Sequence, residues 1–566
     1  MILLATGCGP GSLVRTSPMS TEQASAIALL EQGQPEQAAA MLENQAALAK
    51  TAGRRMPLQA DAAFAWREAG DDARARALAA QVDPRRLTGP SQSRFALMSA
   101  EWALTDGRPA AALAALVDGG ETIPSGLLTR WHLARAQALE VSGNAFAAAG
   151  ERARADTDLG GQALRDNRNA IERLLSSLDD TTLTQQAAAL PMGDPLYNFV
   201  GRTLLRRGLA LPRQFDRGEQ WRFDTGGRPP ADRDGYRPPV KLAVLLPLSG
   251  SLAQAAAPVR DGLLAGYYAE ARQRPEMQFY DTTGTADGAL HAYNQAVESG
   301  ADFVVGPLGR DEVTALFNQP TLSTPVLALN RGEVPPPPGN AGFALAPEDD
   351  GIAAAEYLLG RERRNVVIIA GSDDNAKRST QAFTARFTER GGQIAATLEL
   401  GDAPGDVSAR LTSAAGAGAD AVFLAVRGPQ ARLLAPQLAL SGLAGVTRVG
   451  TSQLASGTGR ADEDAALDGI VYPTETWTTR GTSSLPSASA TADMLPTARG
   501  AAARLFAFGH DAWQITAYLE RLANSANNSL QGATGILHLD GFGNIVRTPS
   551  WATFNSGIPT PIYDGG

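Results

Sequence analysis

A chain of 566 residues is too long to bury a single hydrophobic core, so we expect two or three domains. Charged residues at 19% and hydrophobic residues at 44% are typical of a folded globular protein, and they exclude a disordered chain or an integral membrane protein. The formal net charge is −9, and all of the acidic excess lies after residue 240. Because the sequence contains no basic patch, we exclude nucleic acid as a partner.

The N-terminus places an apolar run and small residues directly before the only cysteine, in the order Met1-Ile-Leu-Leu-Ala-Thr-Gly-Cys8-Gly9. This pattern resembles the end of a bacterial lipoprotein signal, in which the cysteine is acylated. The run is short and lacks a preceding positive charge, so we expect the true start to lie upstream. We predict that residues 1–20 are a signal remnant and tether, lipidated at Cys8; the alternative is a chance cysteine on a disordered N-terminus. A lone cysteine also excludes disulfide bonds within the chain.

Glycine turns recur in the N-terminal part of the chain at a spacing of about 36 to 37 residues. Each turn follows an apolar helix end and precedes an alanine-rich helix. Helix pairs at this period are typical of a tetratricopeptide-like solenoid, which presents an extended surface to partners. We therefore predict an all-α helical-repeat domain over residues 21–223. The turns begin at Gly33, Gly70, Gly107 and Gly143.

A proline- and glycine-rich stretch at residues 224–239 predicts a linker and the clearest domain boundary. After it, short apolar runs alternate with helical patterns, and this alternation predicts parallel sheets wrapped by helices. The strand candidates are 241–247, 277–281, 302–306, 325–329, 365–370, 394–400, 420–426, 446–450 and 468–472.

So many strands over more than 300 residues favour two α/β lobes within residues 240–566. We predict that lobe one comprises about 240–346 and 473–525, and that lobe two comprises about 347–472 and 526–566. The stretch 476–499, rich in Ser, Thr, Ala and Pro, is predicted to be a flexible surface loop.

The sequence is poor in catalytic patterns. Its four histidines are far apart and show no metal-ligand spacing. The Ser-x-x-Lys and Gly-x-Ser-x-Gly nucleophile motifs and the Walker phosphate loop are absent. We therefore predict a protein that is not an enzyme and that has no metal and no cofactor.

Polar turns follow the strands of the first lobe, at the sheet edge where open α/β sheets bind ligands. Asp281 and Arg331 are the only candidates for a pair of charged groups that would clamp a zwitterion. The alternative is that these turns only terminate strands and cap helices. The candidate cleft residues are Ser249, Gly250, Asp281, Thr282, Gly306, Pro307, Asn330 and Arg331.

Four motifs resemble the type I periplasmic-binding proteins. LLPLSG at 245–250 and VVGPL at 304–308 are similar to their opening lobe. RLFAFGHDAWQ at 504–514 is similar to the helix that returns to that lobe, and GATGILHLDG at 532–541 to the closing hairpin. Together with the lipoprotein signal and the helical repeats, these motifs resemble the LpoA-type activators of class A penicillin-binding proteins.

The resemblance implies a helical solenoid followed by a two-lobed α/β fold of the type I periplasmic-binding-protein kind. It also implies a lipid-anchored protein on the periplasmic face of the outer membrane. Such a protein binds and activates a class A penicillin-binding protein without catalysis, and peptidoglycan is a second expected partner. The alternative is a periplasmic solute-binding receptor for an amino acid, peptide or muropeptide.

Overall fold

The computed structural model describes residues 21–117, 123–217, 227–401, 405–524 and 528–562. The chain divides into two compact units, Met1–Leu174 and Leu175–Gly566. The predicted tether 1–20 and its Cys8 lie outside the described residues.

The first unit consists of α-helices joined by short turns. The predicted turn glycines Gly33, Gly70, Gly107 and Gly143 all have positive φ, between 68° and 88°, which ends one helix and lets the chain reverse into the next. The predicted helix pairs are therefore confirmed. The helices are α1 (Thr21–Glu31), α2 (Pro35–Leu48), α3 (Ala52–Glu68), α4 (Asp72–Ala79), α5 (Gly89–Thr105), α6 (Pro109–Ala115), α7 (Ser125–Val141), α8 (Ala145–Ala155) and α9 (Gly161–Ser176).

Alanine dominates the core of these helix pairs. Its small side chain lets neighbouring helices approach closely, and a few large residues such as Leu42, Phe64, Leu97 and Trp131 fill the remaining space. Buried ion pairs add to this packing: Arg94 on α5 donates to the fully buried carboxylate of Asp61 on α3, at 2.8 Å.

The second unit contains further helices and two β-sheets. The helices are α10 (Asp180–Ala189), α11 (Tyr197–Arg206), α12 (Ala253–Ala269), α13 (Ala286–Glu298), α14 (Arg310–Phe317), α15 (Pro347–Leu359), α16 (Asp374–Glu389), α17 (Ser408–Gly416), α18 (Gly428–Leu440), α19 (Ala461–Asp464), α20 (Thr476–Thr479), α21 (Ala488–Met494) and α22 (Ala502–Asn524). The strands are β1 (Lys241–Leu246), β2 (Glu276–Asp281), β3 (Phe303–Val305), β4 (Val326–Ala328), β5 (Ala341–Phe343), β6 (Asn365–Gly371), β7 (Gln393–Leu400), β8 (Ala421–Ala425), β9 (Thr447–Gly450), β10 (Val471–Thr474), β11 (Leu530–Gln531), β12 (Ile536–Leu539), β13 (Asn544–Thr548), β14 (Ser550–Asn555) and β15 (Ile558–Ile562).

Each sheet forms one lobe. The sheet of lobe one has the strand order β11-β12-β13-β5-β4-β3-β1-β2, and the sheet of lobe two has the order β15-β14-β10-β9-β8-β6-β7. Strands β1 to β5 pair in parallel with one another, and so do β6 to β10. Strands from the end of the chain complete both sheets: β13 pairs in parallel with β5, and the remaining pairings are antiparallel. The predicted two-lobed α/β fold of the type I periplasmic-binding-protein kind is confirmed.

Helices cover both faces of each sheet. Successive side chains of a strand point to opposite faces, so a strand that is covered on both faces buries all of them. In lobe one, Leu242 and Val244 of β1 join the core that contains α12 and α22. The residue between them, Ala243, joins the core that contains α13 and α14. The apolar strand runs that predict this sheet are thus buried on two sides.

The end of the chain corrects our division into lobes. We assigned 526–566 to lobe two, but β11, β12 and β13 pair within the sheet of lobe one, and β13 lies parallel to β5. Of the strands within 526–566, only β14 and β15 belong to the sheet of lobe two. Within the described residues, the chain therefore crosses between the lobes after β5, after β10 and after β13.

Two stretches that we interpreted as linker and flexible loop pack against lobe one. In the described part of the predicted linker, Tyr236 is 3% exposed and Arg237 pairs with Glu520 on α22 at 2.8 Å. Within 476–499, Trp477 is 1% exposed and stacks on Phe506 of α22. Composition alone missed these anchors because a few buried side chains decide where each stretch lies.

Candidate functional site

The first predicted group of cleft residues lies where β1 and β2 end. The Asp281 carboxylate accepts hydrogen bonds from the Ser249 hydroxyl at 2.6 Å and from the backbone N–H groups of Leu248 and Thr283. These bonds, the Ser249 bond first, lower the pKa of Asp281 below its ordinary value. Gly250, at φ 78°, lies so close to the Thr283 carbonyl that a Cβ would be 2.7 Å from its oxygen. The described contacts thus use these groups to join two loops.

Thr282 is fully buried at the same edge, and Glu312 of α14, which the sequence analysis did not select, is 1% exposed. The Glu312 carboxylate accepts the Gly309 N–H at the start of its own helix. Burial raises the pKa of Glu312. A glutamate three residues after a helix start is a recognised capping signal, and it identifies this residue as a helix cap.

The second predicted group lies where β3 and β4 end. The Pro307 carbonyl accepts the Leu329 N–H at 2.9 Å, and the Asn330 side-chain amide donates to the Leu308 carbonyl at 2.9 Å. Gly306 is required by space, since a Cβ there would lie 2.0 Å from the Leu245 carbonyl oxygen. Arg331 does not pair with Asp281; it forms an ion pair with Asp349 on α15 at 2.8 Å. The expected clamp is therefore not assembled in this structure.

A cavity of about 240 Å³ lies between the lobes, and none of the eight predicted cleft residues lines it. Lobe one contributes the start of α22, and lobe two contributes the first turns of α15 and α16 and the loop after β9. The lining residues are Leu345, Pro347, Asp350, Asn375, Ser379, Thr451, Gln453, Ala501, Arg504 and Leu505.

A network of buried charges crosses this cavity from one lobe to the other. Asp350, 2% exposed, accepts hydrogen bonds from the backbone N–H and the hydroxyl of Ser452. Arg504 on α22 donates to that hydroxyl and lies 3.2 Å from the Glu475 carboxylate and 3.8 Å from that of Asp350. Arg547 on β13 lies 3.6 Å from Asp350. Two cations of lobe one thus pair with Asp350 of lobe two, and Glu475, which follows β10, balances the second positive charge.

Sequence reasoning passed over Asp350, because an acidic residue at the start of a helix is ordinarily explained by the helix dipole. It does lie in the first turn of α15, but its partner Ser452 is 102 residues away along the chain. Arg504 belongs to the 504–514 motif that carries the family resemblance, which is the one signal that indicated it.

Within the five described ranges, no group of three or more His, Cys, Asp or Glu side chains is placed to hold a metal ion. In the same residues, no helix combines the length and the apolarity that a membrane crossing requires.

A helical-repeat unit followed by two α/β lobes with a cavity between them defines the class of protein as a two-lobed, periplasmic-binding-protein-like fold with an added helical domain. A protein-family model described as "LppC putative lipoprotein" matches residues 236–417 and 412–557, more than half of the chain. The chain belongs to the LppC lipoprotein family.

Curated relatives carry the name penicillin-binding protein activator LpoA. The relative from Photobacterium profundum is 26% identical over 362 residues, which cover 57% of this chain and 57% of the relative. The relative from Dickeya chrysanthemi is 27% identical over 325 residues, 50% of this chain and 47% of the relative. The matches thus span about half the length of these relatives. Among solved structures, full-length LpoA from Haemophilus influenzae is 18% identical and covers 93% of this chain and 98% of that chain, with a TM-score of 0.49.

Proposed function

We propose that this protein is a non-enzymatic activator of a class A penicillin-binding protein and thereby regulates peptidoglycan synthesis. One observation carries the proposal: the family match covers residues 236–557, nearly all of the two lobes, and the curated relatives are named penicillin-binding protein activators. An activator of this kind binds its synthase and shifts the population of its conformations. The relatives' names do not favour the solute-receptor alternative.

The distribution of charge supports a division of labour between the two units. The acidic excess lies after residue 240, in the lobes, whereas the chain before it is neutral. We assign contact with the synthase to the lobes and contact with peptidoglycan, the second proposed partner, to the helical unit. An acidic surface steers a basic partner to its docking site, so the association rate should fall as salt rises.

The proposal predicts that the soluble protein, residues 9–566, stimulates glycan polymerisation or cross-linking by one class A penicillin-binding protein of its organism. The measurement is the rate of each reaction with purified synthases, with and without the protein. A second class A synthase from the same cells is the control for a general effect. If no synthase responds and none binds, the proposal fails.

The structure also indicates where to cut the chain to separate the two roles. Residues 175–217 belong to the unit of the lobes, so a fragment should begin at residue 175, ahead of the predicted linker at 224–239. Stimulation by residues 175–566 that equals that of the whole protein supports assignment of the synthase contact to the lobes. If circular dichroism shows that the fragment is folded but the fragment does not stimulate the synthase, the contact is assigned to the helical unit.

We further propose that Cys8 carries the lipid that anchors the protein in the outer membrane, facing the periplasm. Membership of a lipoprotein family supports this, and Gly9, in place of aspartate, agrees with outer-membrane sorting. We expect Cys8→Ser to abolish incorporation of labelled palmitate, because serine offers no thiol for acylation. Without the acyl chains that stable anchoring needs, the protein should move from the membrane fraction to the soluble fraction. Unchanged labelling in the variant would show that Cys8 is not the acceptor.

A further inference from the structure

Residues 175–217, here called the bridging segment, contact both lobes. They include the last two residues of α9, the helices α10 and α11, and the turns around them. At the start of the segment, the Ser176 hydroxyl accepts a hydrogen bond from Arg386 on α16 of lobe two. Ser176 is 1% exposed and Arg386 is 5% exposed, so this contact is sealed from water. Buried hydrogen bonds to a charged group are among the stronger polar contacts in proteins.

The other end of the bridging segment is held by lobe one. Phe199 on α11 packs against Phe542, in the turn between β12 and β13, with ring centroids 4.6 Å apart. The Arg217 guanidinium donates to the backbone carbonyls of Leu539 and Asp540 at 2.9 and 3.0 Å, and to that of Ala523 at the end of α22. The half-buried Arg217 side chain donates to three backbone carbonyls of lobe one at once, so its loss is costly.

The segment itself is stiffened between these ends. Arg207, at the end of α11, donates to the Leu178 and Ser176 carbonyls at 2.9 Å and to the Asp180 carboxylate at 2.7 Å. Its side chain is 2% exposed. The contact with lobe two is thus tied through Arg207 to the helix that contacts lobe one.

We infer that the bridging segment is a clamp that holds the two lobes at one angle. A hinge motion between the lobes must separate Arg386 from Ser176, or displace Phe199 and Arg217 from lobe one, since one stiff element is attached to both. The contact between Asp350 of lobe two and Arg504 of lobe one also joins the lobes, so it opposes the same hinge motion. The fold therefore restrains the opening and closing that two-lobed proteins undergo when only interlobe connections join them. This inference does not depend on the proposed function.

The test measures the distance between the lobes in the full chain. Spin labels are placed at the exposed positions 291 on α13 and 413 on α17, by His291→Cys and Ser413→Cys in a Cys8→Ala background. Pulsed electron paramagnetic resonance should give one narrow distance distribution. Arg217→Met, which removes the hydrogen bonds of Arg217 to lobe one, and Arg386→Met, which removes the hydrogen bond of Arg386 to Ser176, should each broaden the distribution and shift its mean by more than about 2 Å.

Arg310→Met, at an exposed position on α14, is the matched control and should leave the distribution unchanged. Phe542→Leu is a milder break that keeps an apolar side chain in the turn, so it decides the question if circular dichroism shows either arginine variant unfolded. A broad distribution in the labelled parent overturns the inference. A distribution that superimposes on the parent in the folded clamp variants overturns it as well.

Discussion

Replacement of Gly509 by alanine is expected to destabilise the lobes by about 3 kcal/mol, although alanine is the better helix former. Gly509 lies in the middle of α22, where that helix crosses α12. A Cβ at this position would lie 1.9 Å from the Val259 carbonyl oxygen, which is backbone and has no rotamer with which to move away. The same holds in the other direction, since a Cβ on Gly262 of α12 would lie 1.9 Å from the Phe506 carbonyl oxygen. Both helices would have to separate, and the core of lobe one between them would lose its close packing.

Urea denaturation followed by tryptophan fluorescence measures this effect, because Trp513 lies one turn from Gly509 and is 3% exposed. Gly416→Ala, at the end of α17, is the matched control: no heavy atom lies within 4 Å of the added Cβ, and its φ is not positive. The control should be neutral or slightly stabilising. If Gly509→Ala changes the free energy of unfolding no more than Gly416→Ala does, α12 and α22 do not cross as closely as described.

In the helical unit, Asp61→Ala is expected to cost about 3–5 kcal/mol. The Asp61 carboxylate is fully buried and accepts hydrogen bonds from Arg94, Ser91 and Gln23, at 2.8, 2.8 and 3.0 Å. Its removal leaves the Arg94 guanidinium, 4% exposed, buried without a carboxylate. The cost arises mainly from that stranded charge rather than from the lost bonds. Urea denaturation followed by far-ultraviolet circular dichroism measures it.

Two further variants separate the stranded charge from the loss of Asp61 itself. Asp61→Leu combined with Arg94→Met removes both charges and should recover most of the lost stability, because an apolar pair fits a buried site without a desolvation penalty. Asp106→Ala breaks the exposed pair with Arg108 and should change stability by less than about 1 kcal/mol. A double variant as unstable as Asp61→Ala would show that the stranded charge is not the cause.

Local patterns predicted the elements of this fold well. The turn glycines of the helical unit need positive φ, a backbone requirement that the residue type itself reveals. Strands such as β1 and β6 are buried on both faces, so they appear as continuous apolar runs. By contrast, β5 is three residues long and follows a proline-rich turn, so no run marks it.

Long-range pairing was harder to predict. Strands β11 to β13 were assigned to the wrong lobe, because the place of β13 depends on a partner about two hundred residues away, in the register of Ile545 with Phe343. The residues of the interlobe cavity were missed for the same reason. Asp350 and Arg504 acquire their environment only when α15 and α22 meet across the lobes, whereas the predicted turn residues satisfy one another locally.

The pairing of β13 with β5 has a consequence for the order in which the chain can fold. The first five strands of lobe one are complete by residue 343, yet the edge of β5 stays open until the last part of the chain arrives. An open parallel edge is a template for pairing with other chains. Closing so long a loop is slow, and partly folded chains are prone to aggregation meanwhile. Until β13 docks, the unfinished lobe is thus the species of this chain most exposed to aggregation.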